Sequence, residues 1–165
     1  MSAASSENLP LVQLLLRKGA IVPRLFLHHL VISPEILQYF LENYALDIER
    51  KDRTGRTPLF TVLQSSSRGY HNEVVELLLQ HGASVDKRMN GHTVFQYALF
   101  RNRATRRILS LLVQYGSDLH AVDRNGKTIA QLCIEKSAEM LPKLISLGLN
   151  VNQRMLLATH RCTLR

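Results

Sequence analysis

Apolar residues recur along this chain in two linked patterns. Short, nearly unbroken apolar runs cover residues 58–63, 94–100 and 129–134. Each is followed by a longer run, 73–80, 104–114 and 138–146, in which apolar pairs alternate with polar residues. Val74/Val75/Leu78/Leu79 in the first long run match Ile108/Leu109/Leu112/Val113 and Met140/Leu141/Leu144/Ile145 in the others. Pairs at this spacing place a stripe on one face of an α-helix. The pattern predicts helix pairs in which neither helix can bury its apolar face without neighbours. Helices are also predicted over 8–18, 24–30 and 34–43.

The punctuation between helices repeats as well. Gly19-Ala-Ile-Val-Pro23, Gly82-Ala-Ser-Val-Asp86, Gly116-Ser-Asp-Leu-His120 and Gly148-Leu-Asn-Val-Asn152 begin 63, 34 and 32 residues apart. The first interval is near twice the others and predicts a hidden copy. Glu42-Asn-Tyr-Ala-Leu-Asp-Ile-Glu49 supplies it, with Tyr44 about where glycine belongs. A second signal, x-Gly-x-Thr, recurs as Thr54-Gly-Arg-Thr57, Asn90-Gly-His-Thr93 and Asn125-Gly-Lys-Thr128. Thr57 suits a helix cap and Pro58 a first helical turn. Gly82 stands where a helix needs a left-handed residue to end.

Gly-Arg-Thr-Pro-Leu-Phe60 together with Val-Val-Glu-Leu-Leu-Leu-Gln-His-Gly-Ala83 resembles the ankyrin-repeat family, whose period is about 33 residues. The resemblance covers about residues 8–154 and is strongest over 50–152. It implies an all-α solenoid: an ankyrin-like stack of helix-turn-helix repeats with short β-hairpin or turn fingers. One domain, 1–154, would hold about five units, 8–22 (partial), 23–49, 50–86, 87–120 and 121–152. Residues 155–165 are a tail or the opening of a further, truncated repeat. Several positions depart from the family. Phe60, Gln96 and Gln131 stand where it usually has histidine, so its Thr–His hydrogen bond is not available as such. Arg88 replaces the turn aspartate kept as Asp52 and Asp123. The loop Gln64-Ser-Ser-Ser-Arg-Gly69 is longer than the family's and should be flexible and exposed. No polar capping repeat is evident at either end, which leaves room for self-association or for a longer array.

Composition adds little to the fold and more to the choice of partner. The chain has 165 residues, 45% hydrophobic and 21% charged, as expected of a globular protein. Its formal net charge of +8 is compatible with nucleic acid, an anionic membrane or an acidic protein. No apolar run approaches the length of a membrane helix. Residues 1–10 lack a signal-peptide pattern. Cys133 and Cys162 fit no metal or redox spacing and read as free thiols. A soluble protein of the cytoplasm and/or nucleus is expected.

Candidate chemistry is sparse. Ala121-Val-Asp-Arg-Asn-Gly-Lys-Thr128 resembles a phosphate-binding loop, but its first glycine is Ala121 and its register is that of a repeat turn. His28 and His29 are adjacent and lack the i, i+4 spacing of a helical metal pair, so a structural or surface role is expected. Cys133 falls in an apolar stripe and reads as a packed core thiol. No catalytic constellation, metal set or cofactor motif emerges, and no enzyme activity is expected. What remains is a surface. In an ankyrin-like stack the turns would carry Arg50, Lys51, Arg53 and Arg56, then Lys87, Arg88 and His92, then Arg124 and Lys127. They would form a basic stripe diluted by Glu49, Asp52, Asp86 and Asp123. Thr61, Tyr97 and Leu132 occupy the variable first-helix position that would face the groove, with Tyr97 as an aromatic anchor. A second basic cluster is Arg101-Asn-Arg-Ala-Thr-Arg-Arg107. The expected function is a non-catalytic protein-binding module for an acidic, partly apolar protein surface. The alternatives are a basic nucleic-acid-binding protein and a structural fragment of a larger array.

Overall fold

A computed structural model describes residues 8–21, 27–28, 33–64, 71–100, 105–136 and 138–149. The chain divides into two compact units, Met1–Ser84 and Val85–Arg165. The expected helix over 24–30 is described only at Leu27 and His28, both helical and buried. His29, most of the serine-rich loop, Arg101 to Ala104, Cys162 and the tail 155–165 lie outside the described residues.

The first unit contains α1 (Asn8–Arg17), α2 (Pro34–Asn43), α3 (Pro58–Gln64) and α4 (His71–Gln80). α1 packs on α2, α2 on α4, and α3 on α4. The stripe Val74, Val75, Leu78 and Leu79 is completely buried, as its spacing requires. α4 ends as expected at Gly82, whose φ is +90°. The Gly82 N–H donates to the Leu79 carbonyl at 3.0 Å and the Ala83 N–H to that of Leu78 at 2.9 Å. These bonds use carbonyls that the end of a helix would otherwise leave bare. α2 ends differently. Tyr44 stands near the position of the missing glycine but is extended, at φ −135° and ψ 139°. A bulky residue avoids the left-handed region. Instead the Tyr44 ring packs on Phe40 and Tyr39, with centroids 5.2 and 6.4 Å apart.

The second unit begins with a hairpin, β1 (Arg88–Met89) and β2 (His92–Thr93), paired antiparallel with Met89 opposite His92. Then come α5 (Val94–Phe100), α6 (Arg106–Gln114), α7 (Ile129–Lys136), a 3₁₀ turn (Ala138–Met140) and α8 (Leu141–Ser146). α5 packs against α6 and α7, and α7 against the 3₁₀ turn and α8. The Thr105 hydroxyl caps α6 by accepting the Ile108 N–H at 3.2 Å. The expected helix over 138–146 is interrupted. Pro142 has no N–H to donate to the Ala138 carbonyl, so the first turn tightens to 3₁₀ and the α-ladder starts at Leu141.

Candidate functional site

Three turns of the form x-Gly-x-Thr carry most of the candidate residues, and they are built in two ways. In two of them an aspartate organises the backbone. Asp52 Oδ1 accepts the N–H groups of Thr54 and Arg56 at 2.8 and 3.0 Å and the Thr54 hydroxyl at 2.6 Å. Asp123 Oδ1 accepts the N–H groups of Asn125 and Lys127, both at 2.8 Å. The Asp52 and Asp123 N–H groups donate to the carbonyls of Arg56 and Lys127. The lookalike phosphate loop is therefore a repeat turn, closed on its own aspartate, with Val122 and Thr128 bridged as antiparallel partners.

Burial opposes the charge of Asp52. The Thr54 hydroxyl, the backbone N–H groups of Arg56 and Thr54, and the Arg56 guanidinium together outweigh it, holding the carboxyl well below the usual carboxylate range. A depressed folded pKa stabilises fully above the unfolded value of about 3.9 and is lost as pH falls through the folded value. Asp52→Asn is expected to cost about 1–2 kcal/mol at neutral pH. In thermal melts it should also flatten the loss of stability below about pH 4. An unchanged acid limb would show that Asp52 does not hold this turn through its charge.

The middle turn has no aspartate because its geometry needs none. Asn90 and Gly91 both have positive φ, 52° and 82°, which makes a two-residue hairpin turn closed by strand pairing. Arg88, in the place of the aspartate, reaches outward. Its guanidinium donates to the Gly91 carbonyl at 3.1 Å and to the Val122 carbonyl at 2.9 Å, tying this hairpin to the next turn.

The exposed cations are accordingly fewer than charge alone implies. Arg50, Lys51 and Arg53 in the first unit, and Lys87, Arg88 and Arg124 in the second, are exposed. Arg56 is half-buried and holds Asp52 at 2.9 Å and the Gln64 side chain. Lys127 is paired with Glu135 at 2.6 and 2.8 Å. His92 is half-buried. In the basic cluster, Arg106 and Arg107 are exposed in the first turn of α6.

Of the expected groove floor, Tyr97 and Leu132 are buried and Thr61 is half-buried. Tyr97 and Leu132 are only 7% and 5% exposed. α5 lies against both α6 and α7, so Val94 to Leu99 are buried throughout, and the Ile129, Ala130, Leu132 and Cys133 side of α7 is buried while Ile134 and Glu135 are exposed. Thr61 is half-buried, and its hydroxyl lies 3.0 Å from His28 Nδ1 and 3.2 Å from the Thr57 carbonyl. The other His28 nitrogen, Nε2, donates to the Arg50 carbonyl at 2.8 Å. His28 is thus structural, and it brings Thr61 and Arg50 together. Its spacing of 33 residues from Thr61, one repeat, is the signal that could have revealed the contact.

Glutamine takes over the expected histidine bond. The Thr93 N–H donates to Gln96 Oε1 at 2.9 Å, and the Gln96 N–H returns a bond to the Thr93 hydroxyl at 3.3 Å. Gln131 and Thr128 repeat this reciprocal cap. Gln96 alone of the two is fully buried, and its Nε2 also donates to the Ala121 carbonyl at 2.9 Å. Cys133 is 1% exposed and burial pushes its thiol up to about 11, leaving it protonated and unsuited to nucleophilic work at neutral pH. Among the described residues no group of histidine, cysteine, aspartate and glutamate is arranged to hold a metal ion, and no helix is long and apolar enough to cross a membrane.

A family model described as ankyrin repeats matches the chain in three overlapping copies, over residues 1–89, 27–123 and 64–155. No curated protein matches it.

Proposed function

The chain belongs to the ankyrin-repeat family, whose repeats generally serve as protein–protein interaction modules, and we propose that it binds a protein partner with an acidic, partly apolar surface through its turns. The family is typically non-catalytic. The observation that carries the proposal is the set of exposed cations at the turns: Arg50, Lys51 and Arg53 in one unit, and Lys87 and Arg124 in the other. The turns they lie in or adjoin are held by aspartate bonds or by strand pairing. Such charges steer encounter more than they add affinity. Arg56, Arg88 and Lys127 contribute to the field while bracing the turns, and Thr61 offers a half-buried polar contact beside Arg50. Tyr97 and Leu132, 7% and 5% exposed, offer a partner little surface, so the turns rather than the expected groove floor carry this proposal. The cytoplasm and/or nucleus is the proposed setting.

Affinity capture followed by mass spectrometry supplies the partner, and its association kinetics supply the test. A Lys51→Glu/Arg53→Glu/Arg124→Glu variant is expected to associate about tenfold more slowly, with a smaller salt dependence. Equal rates for the variant and the parent would remove the turn cations from the interface. Binding to generic DNA or RNA that collapses steeply with added salt would favour the nucleic-acid alternative.

A further inference from the structure

One stripe of apolar positions recurs in the repeats but is not equally covered. Leu11 and Leu15 of α1 stand at the same offsets before Gly19 as Val74 and Leu78 before Gly82. Val74 and Leu78 are 0% exposed, whereas Leu11 and Leu15 are 53% and 51% exposed, with Leu14 beside them at 52%. The last described repeat shows the converse. Ile134 of α7 matches Leu63 and Leu99, each 4% exposed, and Ile145 of α8 matches Leu79, 2% exposed, and the half-buried Val113. Yet Ile134 is 52% and Ile145 47% exposed. Each unit therefore exposes apolar side chains at positions that are more deeply buried in other copies of the repeat pattern.

We propose that these two faces are complementary, and that α1 of one copy docks against the α7–α8 face of a second copy, head to tail. The first unit already contains the interface type: α1 on α2 and α2 on α4 are successive second helices of the repeat packed together. α8 against a partner's α1 continues that series. The charges also fit. α1 contains no acidic residue and is followed by exposed Lys18, with Arg17 in its last turn, whereas Glu139 is exposed in the 3₁₀ turn between α7 and α8 and Glu135, paired with Lys127, is exposed next to Ile134. Lys143, half-buried, is the described cation on α8. Unlike faces in contact make a heterologous interface, which extends beyond a dimer unless the rotation closes a ring. The inference is independent of the turn-borne partner site.

Sedimentation velocity on the full chain, from about 1 to 100 µM, tests it, since small interfaces are weak ones. The parent's average mass should rise with concentration past that of a dimer. Leu11→Asp and Ile145→Asp should each be monomeric alone, because each spoils one face. Mixed in equal amounts they should form a dimer and nothing larger, since one intact face of each kind remains. A parent that stays monomeric, a single variant that still dimerises by itself, or a folded pair that fails to combine would each overturn the proposal. Circular dichroism establishes that the variants are folded. If aspartate unfolds either one, Leu14→Gln and Ile134→Gln, at positions more than half exposed, replace them in the same mixing test.

Discussion

Gln96→Ala is expected to cost about 3 kcal/mol, far more than an ordinary polar-to-alanine change. Gln96 is completely buried and serves groups of two buried residues: it accepts the Thr93 N–H and donates to the Ala121 carbonyl. Alanine strands both, at about 1–3 kcal/mol for each buried group left unsatisfied. The Thr93 hydroxyl keeps its bond from the backbone N–H of residue 96, so the cap is halved rather than abolished. Gln131→Ala is the internal control. That side chain is half-buried and makes the same bond to the Thr128 N–H, which water can partly replace, so a loss of about 1 kcal/mol is expected. Gln96→His should recover most of the loss. A neutral imidazole accepts at one nitrogen and donates at the other, as both partners require. Thermal melts read the series, with a fall in Tm on the order of 10 °C for Gln96→Ala. Equal melting temperatures for Gln96→Ala and Gln131→Ala would show that the bond to Ala121 contributes nothing.

The glutamine also marks where the sequence is legible and where it stops. Helices were readable because apolar pairs at fixed offsets from Gly82, Gly116 and Gly148 demand one buried face, and Val74, Leu78, Ile108, Leu112 and Leu144 are buried accordingly. That regularity carried the family identification too. It failed where one residue's chemistry overrides the periodicity. Pro142 tightened a turn by lacking an N–H, and Tyr44 ended α2 without left-handed backbone. The candidate site was less legible, because a sequence shows charge but not what the charge touches. Arg88 and Lys127 look alike as turn cations. One donates to a carbonyl 34 residues away and the other pairs with a glutamate 8 residues on. The repeat position of Tyr97 implies a surface, but its burial depends on the helices packed around α5. Arg50, Lys51 and Arg53 needed no such partner information, and their exposure follows from the turn that precedes α3.

Gly91→Ala should be the costliest of the turn substitutions, at about 3 kcal/mol, and for two separable reasons. At φ +82° an L side chain meets its own backbone, which costs about 1–2 kcal/mol. A Cβ there would also lie 2.6 Å from Arg124 Cβ, too close to the backbone of the next turn for a rotamer change to relieve. Gly126 separates the terms. Its φ is +75°, but a Cβ would meet nothing within 4 Å, so Gly126→Ala is expected to cost only about 1–2 kcal/mol. A double-mutant cycle isolates the clash, since Arg124→Gly removes the obstructing atom. Gly91→Ala should be about 1–2 kcal/mol less costly in that background. If the two changes simply add, the turns have moved apart and the close approach is not enforced. Coupling would instead mean that Arg88, by reaching the Gly91 and Val122 carbonyls, and Gly91, by admitting Arg124 at close range, act as one brace. The presentation of the Arg124 charge would then depend on the absence of a methyl group one repeat earlier. The same variant should slow partner association even at temperatures where the unit remains folded.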